Sequence, residues 1–160
     1  MNVVFLDYDG VVNIAMWNAD GTGCRYNFPD DNKVNHFQAV QWVSELCKKL
    51  NYDIVVTSTW RMDANYKECL INGGLRDGIK ILGKTPVLNT GTRCDEIKKY
   101  LELHPDIENY LIIDDDCILD EELKEHLVVC ESDVGFNLGC YLAACRIHKH
   151  FQKTRSAQEE

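Results

Sequence analysis

The first residues that could do chemistry are Asp7 and Asp9, separated by Tyr8 and followed by Gly10. Residues two apart on an extended chain point the same way, so both carboxylates can face one site, while Gly10 permits a sharp turn away from it. Two further polar groups follow, Thr57-Ser58-Thr59-Trp60-Arg61 and Asp114-Asp115-Asp116. Each group stands behind a short apolar run, at residues 3–6, 54–56 and 110–113. Continuous runs of that length are the pattern of strands buried on both faces. If those strands are neighbours, Asp7, Asp9, Asp114 and Asp115 converge with the hydroxyls of Thr57 and Ser58 at one sheet edge. Carboxylates so crowded raise one another's pKa unless a cation neutralises them. A hard divalent cation such as Mg²⁺ answers this, because it takes one or two carboxylates, waters and a substrate phosphate. Any single Asp could instead cap a loop or helix; three strand ends behaving alike favour a site.

The elements that must position these groups can be read from hydropathy. Val34, Phe37, Val40, Val43, Leu46, Cys47 and Leu50 form a helical stripe, with Asn35 as its N-cap. Trp42 lies beside that stripe and belongs to the core. A shorter helix is expected over 63–71, stopping at Gly73-Gly74, and a third strand over 79–82. Ile97, Tyr100 and Leu101 place a helix over 93–103, ended by His104-Pro105. A fifth strand is expected over 127–130 and a last helix over 138–151, with residues 152–160 a disordered tail. Residues 13–33 are polar and broken by Gly21, Gly23 and Pro29, and they read as an irregular insertion. Strands alternating with helices predict an α/β, three-layer Rossmann-like domain with a mainly parallel sheet of about five strands. Ligands in such sheets bind beyond the carboxyl ends of the strands.

Composition bounds the function classes. With 160 residues, 45% of them hydrophobic, the chain suits one domain over 1–160 that needs no disulfide or structural metal to fold. A net charge of -9, from 17 basic and 26 acidic residues, opposes binding to long stretches of nucleic acid. The basic cluster Arg146, His148, Lys149, His150, Lys153 and Arg155 could offer a local backbone contact, but charge suited to a helix C-terminus is the cheaper account of it. None of the eight cysteines forms a C-x-x-C pair, and no signal-peptide pattern opens the chain. The thiols therefore read as reduced and mostly buried, and the protein as soluble and cytoplasmic, with no membrane partner.

At these residues the chain resembles the haloacid dehalogenase (HAD) superfamily of phosphohydrolases. VVFLDYDGVV resembles its first motif, hhhhDxDG; IVVTSTWR resembles the second and LIIDDD the acidic fourth. More narrowly, residues 58–61, 83–86, 93–97 and 135–138 are similar to segments of the small HAD domains of Swiss-army-knife RNA repair proteins. The resemblance implies a Mg²⁺-dependent phosphatase in which Asp7 is the nucleophile and Asp9 the acid and base. It implies that Asp7, Asp114, Asp115 and the backbone carbonyl of Asp9 hold the metal, without saying which of Asp114 and Asp115 is the direct ligand. Thr57, with Ser58 as rival, would bond the phosphoryl oxygens. Arg93 would be the cation on the phosphate, with Lys84 and Lys98 as competitors.

Ser58, Trp60, Arg61 and Gly10 complete the candidate substrate-binding set. An exposed Trp60 could stack on a base or sugar and Arg61 could pair with a second phosphate. The competing reading packs Trp60 under the next helix and uses Arg61 to tie down a loop. Trp17 admits the same two readings. With only residues 13–33 available after the first motif, the cap is minimal or absent and the site open. The expected substrate is then a phosphorylated small molecule or a nucleic-acid end, with a protein partner able to close the site. Two alternatives remain: a HAD-like module that binds a phosphorylated partner without turnover, which has little need of Asp9, and a receiver-like signalling domain. A receiver carries its adjacent acids after the first strand, and here they come late.

Overall fold

Val3, Val4, Phe5 and Leu6 are wholly buried because β1 (Asn2–Leu6) lies in the middle of a sheet that is covered on both faces. The computed structural model describes residues 1–116 and 120–158, so Cys117 and the last two residues of the tail lie outside the described residues. After β1 come a short antiparallel hairpin, β2 (Met16–Trp17) with β3 (Cys24–Arg25), and then α1 (Phe37–Leu50) and β4 (Asp53–Val56). The remaining elements are α2 (Tyr66–Asn72), β5 (Ile81–Lys84), α3 (Arg93–Leu103), β6 (Asn109–Asp114), α4 (Glu121–Lys124), β7 (Leu127–Val129) and α5 (Leu138–Gln158).

Five strands form one sheet in the order β5-β4-β1-β6-β7, and every pairing is parallel. Counting only its own strands along the chain, the order is 3-2-1-4-5, the Rossmann arrangement and not the 2-1-3-4-5 of receiver domains. The order reverses between β1 and β6, and ligands of open α/β sheets bind at such a switch point. Alternate side chains of each strand enter opposite cores. Val4, Leu6, Ile54, Val56, Leu111 and Ile113 pack with α1, α2 and α5, whereas Val3, Phe5, Val55 and Ile112 pack with Ile97 and Tyr100 of α3 and Leu123 of α4. The chain is therefore a three-layer α/β domain. Phe5 stands edge-on to both Tyr100 and Tyr110, with centroids 5.7 and 5.9 Å away.

Several expected boundaries move for local reasons. Helix α1 begins at Phe37 behind His36, and Asn35 does not cap it. Asn35 instead bonds both the amide and the carbonyl of Ile14, at 2.8 and 2.6 Å, which straps the insertion to the core. Phe37, counted in the buried stripe, is exposed. Trp42 is half-buried against Tyr141, 5.3 Å between centroids. Between β4 and α2 a separate 3-10 turn, Thr59–Met62, takes the residues expected just before the helix. Gly73 still has right-handed φ, and Gly74, at φ +111°, makes the left-handed exit. Strand β5 starts two residues later than expected, at the shift in its register with β4. The last helix does not stop at Phe151 but runs to Gln158, so residues 152–158 are helical, not a disordered tail. Residues 13–33 hold the hairpin and a 3-10 turn, Pro29–Asp31, and no cap domain. Among the described cysteines all are free: Cys47, Cys69 and Cys130 buried, Cys94, Cys140 and Cys145 half-buried, and Cys24 exposed. No described helix is long and apolar enough to cross a membrane.

Candidate active site

Strand β1 delivers Asp7 to the carboxyl edge of the sheet, and its amide continues the ladder by donating to Ile113 O at 3.0 Å. Strand β6 ends on Asp114, and Asp115 follows at once. Asp7, Asp114 and Asp115 each present a carboxylate oxygen within 4.8 Å of the others. Asp7 and Asp114 are buried and Asp115 is half-buried. Burial pushes the pKa of all three up, and neighbouring carboxylates add to it: Asp115 on Asp7, Asp7 on Asp114, Asp114 on Asp115.

Arg93, the first residue of α3, opposes that repulsion. One guanidinium nitrogen lies 2.9 Å from Asp7 Oδ2 and 2.5 Å from Asp114 Oδ2. Burial works against its charge, but Asp7 and Asp114 outweigh burial and hold its pKa above the usual arginine range. The helix begins where it does because Thr92 and Asp95 form a capping box around its first amides. Neither rival cation comes to the cluster. Lys84 Nζ donates to Arg61 O at 2.6 Å and lies over the Tyr66 ring, while Lys98 pairs with Asp120 and Glu122 at 2.7 and 2.9 Å.

The turn after β4 brings Thr57 and Ser58 in from the other side. Thr57 is wholly buried and its Oγ1 has no hydrogen-bond partner among the described residues. Unpaired buried hydroxyls are costly, and this one could still donate to an acceptor. Ser58 Oγ is already used, accepting the Trp60 amide at 3.3 Å as N-cap of the 3-10 turn.

Three residues of the substrate-binding set have partners within the protein. Trp60 is not an exposed platform: it is buried, its indole edge-on to Tyr8 at 5.7 Å and its Nε1 donating to both oxygens of Asp9 at 3.2 Å. Arg61 is also buried and does tie down a loop. It donates to Thr57 O at 2.5 Å, to Ser58 O at 2.9 Å and to Glu96 Oε2 at 2.6 Å, while its Nε has no partner among the described residues and it also lines the groove beside the cluster. Gly10, with φ +73°, is needed for the backbone: a Cβ there would run into the Asp115 carboxylate. The side chain of Asp9 stands apart from the carboxylate cluster, its Oδ1 accepting Asn13 Nδ2 at 2.7 Å. Asn13 and Glu96 are the structurally important neighbours that a reading of the sequence passes over. The signals were a short polar residue four after Asp9 and, for Glu96, its place in the 93–97 segment that resembles the family.

Beside the cluster runs a groove of about 740 Å³, lined among others by Thr59, Met62, Val87, Arg93, Asp114 and Asp116. Among its lining residues, Met62 and Val87 are exposed apolar side chains.

A parallel 3-2-1-4-5 sheet with D-x-D-G behind its first strand, a buried hydroxyl behind the second and paired acids behind the fourth defines a HAD-type domain, of the phosphohydrolase superfamily. Within that class the chain belongs to the family described as the HAD domain in Swiss Army Knife RNA repair proteins, whose model matches residues 3–138. No curated protein matches the chain.

Proposed function

We propose that the protein is a Mg²⁺-dependent phosphomonoesterase that works through an aspartyl-phosphate on Asp7. The observation that supports it most is the meeting of three carboxylates within 4.8 Å with a single guanidinium on two of them. One positive charge does not balance three buried or half-buried acids, and the donors are all oxygen, which fits a hard divalent cation. Asp7, Asp114 and Asp115 would hold Mg²⁺, with the backbone carbonyl of Asp9. When bound, the ion offsets charge on the transferring phosphoryl group and on the acids themselves.

The chain's own residues then divide the work. A carboxylate oxygen of Asp7 forms a bond to phosphorus as the ester P–O bond breaks. The bridging oxygen leaves with the bonding pair and takes a proton from Asp9, releasing an alcohol. Water next attacks phosphorus, gives its proton to Asp9, and the bond to Asp7 breaks, so that inorganic phosphate leaves and Asp7 is restored. Arg93 and the Thr57 hydroxyl bond the equatorial oxygens, where charge must be stabilised.

The substrate is a phosphate monoester on a small molecule or a nucleic-acid end; the family's association with RNA repair supports including oligonucleotides. The test is hydrolysis of an aryl phosphate with and without Mg²⁺, in wild type and Asp7→Asn. Turnover that needs Mg²⁺ and falls at least about a thousandfold in Asp7→Asn is expected. Activity surviving that substitution would exclude Asp7 as nucleophile. Nucleotides, 3′- and 5′-phosphorylated oligonucleotides, sugar phosphates and phosphopeptides would then rank the substrates.

A further inference from the structure

We infer that Trp60 and Asn13 are positioning residues that clamp Asp9 for proton transfer and leave its Oδ2 as the oxygen that carries the proton. The inference rests on the phosphatase reading above. Trp60 Nε1 shares its proton between Oδ1 and Oδ2, 3.2 Å from each, while Asn13 Nδ2 donates to Oδ1 alone at 2.7 Å. Oδ1 therefore has a donor of its own and a share of a second, whereas Oδ2 has only that share. The less occupied oxygen is the one free to hand a proton to the bridging oxygen as the ester bond breaks and to receive one from the attacking water.

Both clamps are themselves fixed. The Trp60 indole is only 3% exposed and stands edge-on to Tyr8, whose hydroxyl donates to Tyr66 O at 2.8 Å. Asn13 is wholly buried; it also donates to Asn27 O at 3.0 Å and accepts the Asn35 amide at 3.3 Å. Asp9 is thus held from two independent segments, the turn after β4 and the loop after β1. Packing alone would need only an aromatic ring at position 60. The indole N–H aimed at a half-exposed carboxylate is the part that packing does not explain.

Proton donation matters most when the leaving group is a poor one. The measurement is kcat/KM for an alkyl phosphate and for 2,4-dinitrophenyl phosphate, because kcat/KM reports the half-reaction in which the ester bond breaks. Trp60→Phe keeps a ring but loses the N–H. We expect its kcat/KM to fall about tenfold or more on the alkyl ester and no more than about threefold on the dinitrophenyl ester, whose leaving group needs no proton. Asn13→Ser, which withdraws the other donor without touching the ring packing, should skew the two substrates the same way. Equal losses on both esters in either folded variant, or no loss on the alkyl ester, would overturn the inference while leaving the phosphatase reading standing. Wild type inactive on both esters, or Asp7→Asn still active, would overturn the two together.

Discussion

Asp7 is held at a cost that its chemistry explains. Its carboxylate is buried, which raises its pKa, and Asp115 raises it further; the contact with Arg93 only partly offsets this. A buried charge that is incompletely compensated destabilises the fold, and functional sites commonly carry such a deficit. Replacing it by the isosteric amide keeps an acceptor for Arg93 and leaves Asp114 as the full partner of the guanidinium. Asp7→Asn in the presence of a chelator should therefore unfold about 2–4 °C higher than wild type, equivalent to about 1 kcal/mol. Thermal unfolding followed by circular dichroism checks it, and a lower midpoint would mean that the pair with Arg93 outweighs the desolvation of Asp7. These residues were legible because each stands directly behind a buried apolar run or at a helix start. The Trp60–Asp9 contact was not, since the 3-10 turn that rotates the indole inward depends on a serine cap and leaves no periodicity to read.

At the scale of elements, the pieces that place the site are joined by a buried ion pair. Arg61, in the 3-10 turn, meets Glu96 of α3 at 2.6 Å, with side chains 5% and 9% exposed. Glu96 Oε1 also accepts the Leu88 amide at 3.2 Å, so one carboxylate joins the turn, the helix and the loop before that helix. Helix α3 in turn carries Arg93. Removing Glu96 leaves a guanidinium buried without its partner, which costs about 3–5 kcal/mol. Glu96→Ala should lower the unfolding midpoint by roughly 10 °C, and Glu96→Gln by less, because it keeps an acceptor. Similar midpoints for Glu96→Ala and wild type would show that water reaches the guanidinium. Helix α3 was legible to the residue because the spacing of Ile97, Tyr100 and Leu101 and the stop at His104-Pro105 are local signals, and a local capping box starts it. Helix α5 was not: its basic residues suggest a C-terminus near Phe151, yet nothing there breaks the helix, and the exposed residues 152–157 simply continue it. Asn35 misled for a tertiary reason. A residue that looks like a cap was used to pin the insertion through Ile14.

Across the whole molecule, the net charge of -9 is unevenly placed, with part of it gathered where a divalent cation would sit. The same uneven burial makes stability depend on pH through two histidines far from that edge. His126 stacks between Tyr110 and Phe151, at 3.7 and 4.1 Å, and its Nδ1 lies 2.9 Å from Tyr110 O. Burial lowers its pKa, although the Tyr110 carbonyl and the nearby Glu125 carboxylate pull the other way. His148, with Nδ1 2.9 Å from the Tyr52 hydroxyl, is lowered by burial as well. In both cases the unfolded chain takes up the proton first, from about pH 6.5, while the folded protein still excludes it. The contribution of each histidine is therefore intact above that pH and is lost as the pH falls toward the lower folded pKa. The carboxylates of the site, raised by burial, act in the opposite direction, so wild type alone would not isolate the histidines. The difference between wild type and His126→Phe does, because those acids are common to both. Phenylalanine keeps the stack on Tyr110 and Phe151 and forfeits one hydrogen bond, so the variant should be less stable at pH 7.5. In urea titrations at pH 7.5, 6.5 and 5.5, the gap should narrow as the pH falls. A gap that stays constant across the series would show that His126 titrates alike in the folded and unfolded chains.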